Sequence, residues 1–319
     1  MLAEIVIVTY RSHERASAEL QALVDRASES PNVQWTFVDN SEDSSDTEFL
    51  TPLIAGMPNA RIVPRPDNPG FAKGCNLVGL NTSADWVVLF NPDVLLEHES
   101  FEGLVHALRN ADDGVGTIAI SQQTGPLRHQ GVACNRAGWF MDRPITSGAS
   151  QRPGRREAIY RATGGAGALL GPSGGAAAYR TSLFRELGGF YDALFAWGED
   201  ADLALRLHLA GHRCLAVDLG LPHQGGHSVA EGSVTQRRGY LLGRNRVWVA
   251  ARLYSWPQTM LFTVFLLVVL AVKSPNLLRK GTLGANLRGI ACGYGTFRAT
   301  RTTYTGQRLR VLTSDRSRA

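Results

Sequence analysis

Residues 86–93 read Trp86-Val87-Val88-Leu89-Phe90-Asn91-Pro92-Asp93, an apolar run that stops at Asn-Pro-Asp. The apolar residues are mostly β-branched or aromatic, which predicts a strand buried on both faces. Ligands of open α/β sheets bind just beyond the carboxyl ends of the strands, so Asp93 stands where a phosphate-bound metal ion could be held. The same three residues also suit a plain turn after a core strand.

Strands and helices are predicted to alternate around this run. Apolar spacing predicts helices at 14–27, 99–109 and 181–187, and further strands at 5–9, 33–38, 61–63, 114–120 and 213–217. This alternation predicts an α/β fold with a doubly wound, mostly parallel, Rossmann-like sheet. Residues 124–163 are rich in Gly, Pro and Arg, and we expect them to form one long functional loop.

The composition is that of a globular protein with one large domain or two ordinary ones, since the chain has 319 residues and 44% of them are hydrophobic. The four cysteines lie far apart without a C-x-x-C pair. Neither a disulfide framework nor a zinc site is therefore predicted, which is typical of a reducing compartment. The first strand begins almost at once without a basic segment before it, so no signal peptide is predicted.

Charge is distributed unevenly along the chain. Residues 236–319 hold fifteen Lys or Arg and one acid, a formal charge of +14, whereas the rest of the chain carries −9. A basic tail on an acidic body predicts a polyanion or an anionic membrane surface as the tail's partner. The tail also contains the most apolar run of the chain, which arms that bind nucleic acid lack.

That apolar run covers residues 253–272 and contains no charged side chain. Its most apolar part, residues 260–272, would be a helix of about 20 Å, against about 30 Å for a bilayer core. We therefore expect a helix that lies in one leaflet, with Trp256 and Pro257 at its interfacial end and anionic headgroups near Lys273, Arg279, Lys280 and Arg288. A full span, a buried helix or an oligomer contact are the alternatives.

A glycine-containing turn precedes the opening strand. Asn68, Gly70 and Lys73 lie in the segment Asn68-Pro69-Gly70-Phe71-Ala72-Lys73-Gly74-Cys75-Asn76, which leads into a short helix. Exposed amides at a helix start suit a diphosphate, although the pattern is neither G-x-G-x-x-G nor a Walker loop. An ordinary turn that needs glycine is the alternative.

Three acids lie close together at a predicted helix start. Glu199, Asp200 and Asp202 precede apolar residues at helical spacing, and Gly211 ends the helix. Acids favour a first helical turn in any case, through the macrodipole. The aromatic residues before Glu199 and Asp200 are predicted to form an apolar wall that desolvates a general base; they are Phe190, Phe195 and Trp197.

Two histidines, His223 and His227, lie in a glycine turn after the last predicted strand. A single histidine is most often structural, but one in such a turn is free to ligate a metal. The other six histidines are interpreted as surface or packing residues.

The order of these motifs resembles that of a known family. The motifs are Ile7-Val8-Thr9-Tyr10, Val38-Asp39-Asn40-Ser41, Asn68-x-Gly70-Phe71-Ala72, Asn91-Pro92-Asp93, Gly198-Glu199-Asp200-x-Asp202-Leu203 and His223 with Gly226-His227-Ser228. Over about residues 3–250 they resemble the family-two glycosyltransferases of the GT-A fold. Within that family they are similar to bacterial rhamnosyltransferases that act on polyprenyl-diphosphate sugars, and to actinobacterial galactofuranosyltransferases.

The resemblance implies a nucleotide-sugar site. Asp39 resembles the residue that binds the donor's pyrimidine base, and Thr9 lies beside it at the first strand end. The implied donor is dTDP-L-rhamnose, with a UDP-sugar such as UDP-galactofuranose as the alternative. The implied acceptor is a polyprenyl-diphosphate-linked sugar of cell-wall or surface polysaccharide assembly, which would place the enzyme on the cytoplasmic face of the membrane.

The resemblance also implies a metal site and a base. Asp93 resembles the last acid of the D-x-D motif, and His223 the distant histidine that completes the site for Mg²⁺ or Mn²⁺. Asn91 stands where the family has the first acid, which leaves fewer charged ligands. Asp200 resembles the general base of a single inverting displacement, with Glu199 as the other candidate catalytic carboxylate.

These expectations divide the chain into a catalytic GT-A domain, residues 1–235, and a basic, apolar helical region, residues 236–319. A sugar-phosphate nucleotidyltransferase shares the α/β plan, but it needs a glycine-rich basic loop that residues 9–17 lack. A scaffold that only binds sugar or lipid would not need the acids and the histidine.

Overall fold

The computed structural model describes residues 1–29, 31–145, 169–223 and 232–310. The strands in these ranges are β1 (Ala3–Thr9), β2 (Val33–Asp39), β3 (Ala60–Pro64), β4 (Trp86–Phe90), β5 (Val115–Thr124), β6 (Leu127–Cys134), β7 (Phe140–Pro144), β8 (Ala176–Arg180) and β9 (Arg213–Pro222). The α-helices are α1 (His13–Ala27), α2 (Ser45–Leu53), α3 (Phe71–Gly79), α4 (His98–Asn110), α5 (Thr181–Glu186), α6 (Glu199–Leu209), α7 (Gly232–Leu253), α8 (Trp256–Arg279) and α9 (Leu283–Thr302).

All these strands belong to one sheet, in the order β3-β2-β1-β4-β8-β5-β6-β7, with β9 paired to β5. Strands β1 to β4 are parallel, and β9 is parallel to β5. Strand β8 runs antiparallel between β4 and β5, so β5 and β9 point the same way as β1 to β4. The predicted α/β sheet is confirmed, and the carboxyl ends of these parallel strands lie along one edge.

Strand β4 is buried on both faces, as predicted. Val88 and Phe90 pack with α1 and α4 in one hydrophobic cluster, whereas Val87 and Leu89 pack with α3, α5 and α6 in another. Successive side chains of a strand point to opposite faces, so the continuous apolar run places β4 in the middle of the molecule. Asn91 to Asp93 then emerge from the centre of the sheet edge.

The prediction of one long loop at 124–163 was wrong in its first part. Strands β6 and β7 form a hairpin there, paired antiparallel from Cys134 and Phe140 outward. Because this segment is rich in Gly and Arg, the burial of residues 132–134 at the end of β6 was not predicted. Residues 146–163 of the predicted loop lie outside the described residues.

Strand β8 was missed because three of its five residues are alanine, which has low strand propensity. Ala176, Ala177 and Ala178 are fully buried between β4 and β5. Hydrogen bonding on both edges and burial on both faces stabilise this strand, and neither effect can be read from the local sequence.

A third hydrophobic cluster joins the C-terminal helices to the part of the chain that contains the sheet. Val247 and Phe262 pack with Trp139 and Leu205, and the Tyr254 hydroxyl donates to Gly138 O at 2.5 Å. Residues on both sides of position 235 therefore share one core. The division into two domains at that position stays a prediction.

Helix α8 extends beyond the predicted apolar run. It has 24 residues, about 36 Å in length. Among the described residues it is the one helix that is long and apolar enough to cross a membrane, judged by length and composition. One face packs on the body through Phe262 and Phe265 against Trp139, and the opposite face is exposed.

Asp202 forms a buried ion pair that connects two helices. Its carboxylate lies 2.7 Å from Arg206 Nε in α6 and 3.6 Å from Arg252 Nη1 in α7. Arg206 also donates to Leu187 O and Gly189 O. Asp202 is completely buried, so its function in this structure is to hold α6 in place.

We expect Asp202→Asn to lower the free energy of unfolding by about 3–5 kcal/mol, because it leaves two buried guanidinium groups without a carboxylate. Denaturant unfolding of the full chain measures this change. The control is Asp113→Asn, at an exposed acid, with an expected change within about 0.5 kcal/mol. A similarly small effect of Asp202→Asn would show that the ion pair is dispensable.

Candidate active site

Asp93 and His223, which are 130 positions apart in sequence, meet at the strand edge. His223 Nε2 lies 3.1 Å from Asp93 Oδ1. Backbone hydrogen bonds hold the two segments together: His223 N donates to Gln123 O, and Leu95 N donates to Pro222 O. The sheet therefore brings together the two residues that the sequence indicated as metal ligands.

The pair fits a hard divalent cation. Two adjacent ligands of an octahedral ion with bonds of about 2.1 Å lie about 3 Å apart, close to the observed separation. A carboxylate oxygen and an imidazole nitrogen are ligands that Mn²⁺ accepts. Within the described ranges, no group of three or more His, Cys, Asp or Glu occurs that could hold a metal. His227 lies outside the described residues.

Two glycines connect the Asp93–His223 pair to the acids of α6. Asn91 N donates to Gly175 O at 3.0 Å, and Gly174 N donates to Asp200 Oδ2 at 3.1 Å. A Cβ on Gly175 would overlap the Gln122 side chain. The two backbone hydrogen bonds place Asp200 near the end of β4.

The structure distinguishes the two candidate carboxylates. Burial, and secondly the charge of Asp200, raise the pKa of Glu199 to about 8. Burial also raises the pKa of Asp200, but hydrogen bonds from the amides of Gly174 and Ala201 oppose this shift. Glu199 is therefore protonated at neutral pH, whereas Asp200 is partly exposed and better suited to accept a proton.

The loop before these acids has a strained backbone. Phe195 has φ 67° and ψ −66°, and Ala196 N donates to Leu194 O at 2.8 Å, which together define a classic γ-turn. Trp197 also has a positive φ of 66°. Such strain costs of order 1–3 kcal/mol per residue and persists only where the surroundings impose it.

Asn245 in α7 imposes this conformation. Its buried Nδ2 lies 3.0 Å from Leu194 O, 2.9 Å from Ala196 O and 2.9 Å from Trp197 O. The sequence reasoning missed this residue. Its one signal was an uncharged polar side chain in the long helix after the histidine turn, which periodicity alone does not mark as functional.

The predicted aromatic wall separates into two parts. Phe190 packs in the core against Tyr179 and Phe184. Phe195 and Trp197 are half-buried, and the guanidinium carbons of Arg237 and Arg238 lie 4.2 and 5.9 Å from their ring centroids. Two arginines of the basic C-terminal region, Arg237 and Arg238, thus lie beside the acid-bearing loop.

The glycine turn packs on the same loop. Gly70 has φ 88°, and a Cβ there would lie 2.5 Å from the Phe195 ring. Ala72 N donates to Phe195 O at 3.0 Å. Asn68 Nδ2 donates to Glu42 at 3.2 Å, and Lys73 is exposed in the first turn of α3. The predicted phosphate turn therefore borders the candidate site.

Asp39 and Thr9 lie opposite each other at the ends of β2 and β1. The Asp39 carboxylate accepts from Ser41 N, Thr47 N and Thr47 Oγ1 at 2.7–2.8 Å. A carboxylate has about four acceptor positions, and these three hydrogen bonds occupy most of them. The buried Thr9 hydroxyl finds no hydrogen-bond partner among the residues that the structure describes.

Comparison with known families identifies the fold. A family model described as glycosyltransferase-like family 2 matches residues 3–219, more than half of the chain. The chain belongs to glycosyltransferase family 2. No curated protein sequence matches this glycosyltransferase.

Solved structures similar to this family 2 glycosyltransferase are GT-A enzymes. Mannosyltransferase PcManGT from Pyrobaculum calidifontis, in complex with GDP-Man and Mn²⁺, has a TM-score of 0.53 and 16% identity over 92% of this chain and 86% of its own. Glucosyl-3-phosphoglycerate synthase from Mycobacterium tuberculosis, in complex with Mn²⁺, UDP and phosphoglyceric acid, has a TM-score of 0.50 and 16% identity over 78% of each chain.

GalNAc-T7 with UDP, GalNAc and Mn²⁺ has a TM-score of 0.56 and 13% identity over 80% of this chain. The match covers 48% of GalNAc-T7, so this glycosyltransferase spans about half the length of that protein. At these identities the likeness shows the fold alone, and the predicted GT-A fold is confirmed.

We expect the stability of this glycosyltransferase to depend on Glu199 ionisation. The folded chain holds the Glu199 proton up to about pH 8, whereas the ordinary value is 4.5. This contribution to stability is complete below pH 4.5 and is lost as the pH rises through 8. Urea unfolding measures this change. As the pH rises from 4.5 to about 8, the free energy of unfolding of Glu199→Gln should rise relative to that of wild type, by up to about 1.4 kcal/mol per pH unit.

Glu102→Gln, at an exposed glutamate of α4, is the matched control and should show no such trend. A stability difference between Glu199→Gln and wild type that does not change with pH would contradict the raised pKa.

Proposed function

We propose that this chain is an inverting, metal-dependent glycosyltransferase that moves a sugar from a nucleotide sugar to a polyprenyl-diphosphate-linked acceptor. The observation that carries the proposal is the Asp93–His223 pair at 3.1 Å, connected through Gly174 and Gly175 to the Asp200 carboxylate. Such a displacement requires side chains that can hold one metal ion, and it requires an accessible carboxylate.

The roles of the residues follow from their environments. Asp93 and His223 would hold Mn²⁺ or Mg²⁺, which when bound offsets the charge of the leaving diphosphate. Asp200 takes the proton from the acceptor hydroxyl as the hydroxyl attacks the sugar. Glu199, neutral beside it, adds no second negative charge, and Arg237 adds positive charge on the same loop.

The donor is proposed to bind across the ends of β1, β2 and α3. Thr9 and Asp39 would contact the base, and the turn with Asn68, Gly70 and Lys73 would lie near the diphosphate, with Asn91 beside the metal. Our first choice of donor is dTDP-L-rhamnose, because the motif order resembles rhamnosyltransferases. UDP-sugars are the second choice, and two of the similar structures contain UDP.

The acceptor is proposed to reach the site from a membrane. The exposed face of α8 is apolar from Trp256 to Val272 and includes Met260, Val264 and Val268. Its other face is docked on the body, and Lys273 Nζ lies 5.7 Å from the Trp139 ring centroid. A helix docked in this way fits the surface of one leaflet better than a full span, and the cytoplasmic leaflet is the proposed location.

A panel of nucleotide sugars tests the donor. We expect dTDP-L-rhamnose with Mn²⁺ to raise the melting temperature, since a ligand at 100 times its Kd stabilises a protein by about 2.7 kcal/mol. The panel also contains UDP-galactofuranose, UDP-GlcNAc and GDP-mannose, and a product assay follows each hit. No shift with any nucleotide sugar would count against the transferase proposal.

Removal of the metal ligands tests the ion site. We expect Asp93→Ala and His223→Ala to lower turnover to background, because the ion loses one of two protein ligands. EDTA should inhibit the wild type, and Mn²⁺ or Mg²⁺ should restore it. Calorimetry with Mn²⁺ and donor should show loss of metal binding in both variants. Full turnover in EDTA would rule the ion out.

Replacement of the two carboxylates tests the base. We expect Asp200→Asn to lower kcat by about 10²–10⁴ while donor affinity changes little, because the proton acceptor is lost. Glu199→Gln should have the smaller effect at neutral pH, since the native side chain is already protonated there. A larger loss with Glu199→Gln would assign the base to Glu199.

A further inference from the structure

An open depression lies at the start of α8, remote in sequence from the candidate active-site residues. It has a volume of about 320 Å³ and is lined by Trp256, Phe297, Arg298, Arg301 and Thr302. Trp256 and Phe297 meet edge to face at 6.1 Å between ring centroids. Two aromatic rings and two guanidinium groups therefore line one concave surface.

The positive charge of this surface is not neutralised within the described part of the chain. Arg301 donates to Ala251 O and Tyr254 O and lies 4.2 Å from the Trp256 ring centroid, so its position is fixed. Arg308, which donates to Arg301 O, adds a third cation. No carboxylate of the described residues forms a salt bridge with Arg298, Arg301 or Arg308.

An apolar stripe begins at the same tryptophan. Trp256 is 54% exposed, and the exposed residues that follow it on one face of α8 are Met260, Val264, Leu267, Val268 and Val272. At about 100° per residue, these side chains cover about 160° of the helix circumference and form one broad apolar face. Cationic groups at one end and hydrocarbon along the rest match an anionic head and an alkyl chain.

We propose that Trp256, Phe297, Arg298 and Arg301 form a binding site for the phosphate headgroup of an anionic membrane lipid, whose chains lie along the apolar stripe of α8. This site would specify how the protein binds the membrane, and it rests on the membrane association in the proposed function. Tryptophan at the membrane interface and arginine at lipid phosphates are the chemistry expected of such a site. Binding here would orient the protein on the bilayer through its C-terminal helices.

Co-sedimentation of the full chain with phosphatidylcholine vesicles, with and without phosphatidylglycerol, tests the site. We expect wild type to prefer vesicles with phosphatidylglycerol and Arg298→Gln to bind these about five-fold less tightly. Arg298 is exposed, so this variant should fold, and Arg298→Lys should keep much of the preference.

The matched control is Arg288→Gln, an exposed arginine of the same helix about 15 Å away along its axis. We expect it to lose less binding than Arg298→Gln. Equal losses would mean a diffuse basic surface and would overturn the headgroup site while leaving membrane association intact. Displacement by inorganic phosphate at constant ionic strength would assign the site to soluble anions and would also overturn it.

Two measurements separate this proposal from the others. Thermal stabilisation by the nucleotide sugar should be the same for wild type and Arg298→Gln, so a failure of donor binding is seen independently of vesicle binding. Sedimentation without vesicles shows whether a second copy covers the stripe. A dimer broken by Val264→Ser, together with no vesicle binding, would assign the stripe to that copy and overturn the proposal.

Discussion

The candidate active site depends on the buried amide of Asn245, whose nitrogen contacts three carbonyl oxygens of a strained loop. The γ-turn at Phe195 and the positive φ of Trp197 are unfavourable by themselves, and they set the direction in which the chain enters α6. Because Glu199 and Asp200 begin that helix, a side chain of the C-terminal region determines where the two carboxylates lie.

Close backbone approaches complete the site. Gly174 and Gly175 connect the end of β4 with Asp200, and Gly70 lets the α3 turn contact Phe195. These contacts put the Asp200 carboxylate, the Glu199 carboxyl and the Asp93–His223 pair at one edge of the sheet. Burial raises the pKa of both acids, and amide hydrogen bonds from Gly174 and Ala201 oppose this shift at Asp200, which favours Asp200 as the proton acceptor.

The C-terminal helices combine two functions. Helix α7 supports the acid-bearing loop and α6 from inside, through Asn245 and through the pairing of Arg252 with Asp202. Helix α8 uses one face to complete the core around Trp139 and leaves the other apolar and exposed. Only residues 254–255 separate α7 and α8, so the helix with the exposed apolar face follows directly on the helix that contacts the acid-bearing loop.

The sequence by itself determined the alternating strands and helices, the burial of β4 and the identity of Asp93, His223 and Asp200 as candidates, because apolar periodicity and polar strand ends are local properties. It did not reveal β8, whose alanines adopt a strand conformation only because two neighbouring strands hydrogen-bond to them. Only the family resemblance ranked Asp200 above Glu199, since the desolvation of each carboxyl depends on what packs around it in the fold. The role of Asn245 was also missed. The carbonyl oxygens that accept its hydrogen bonds lie about fifty positions earlier in the chain and become its neighbours only in the folded structure. Packing between side chains distant in sequence is decided by the tertiary structure alone.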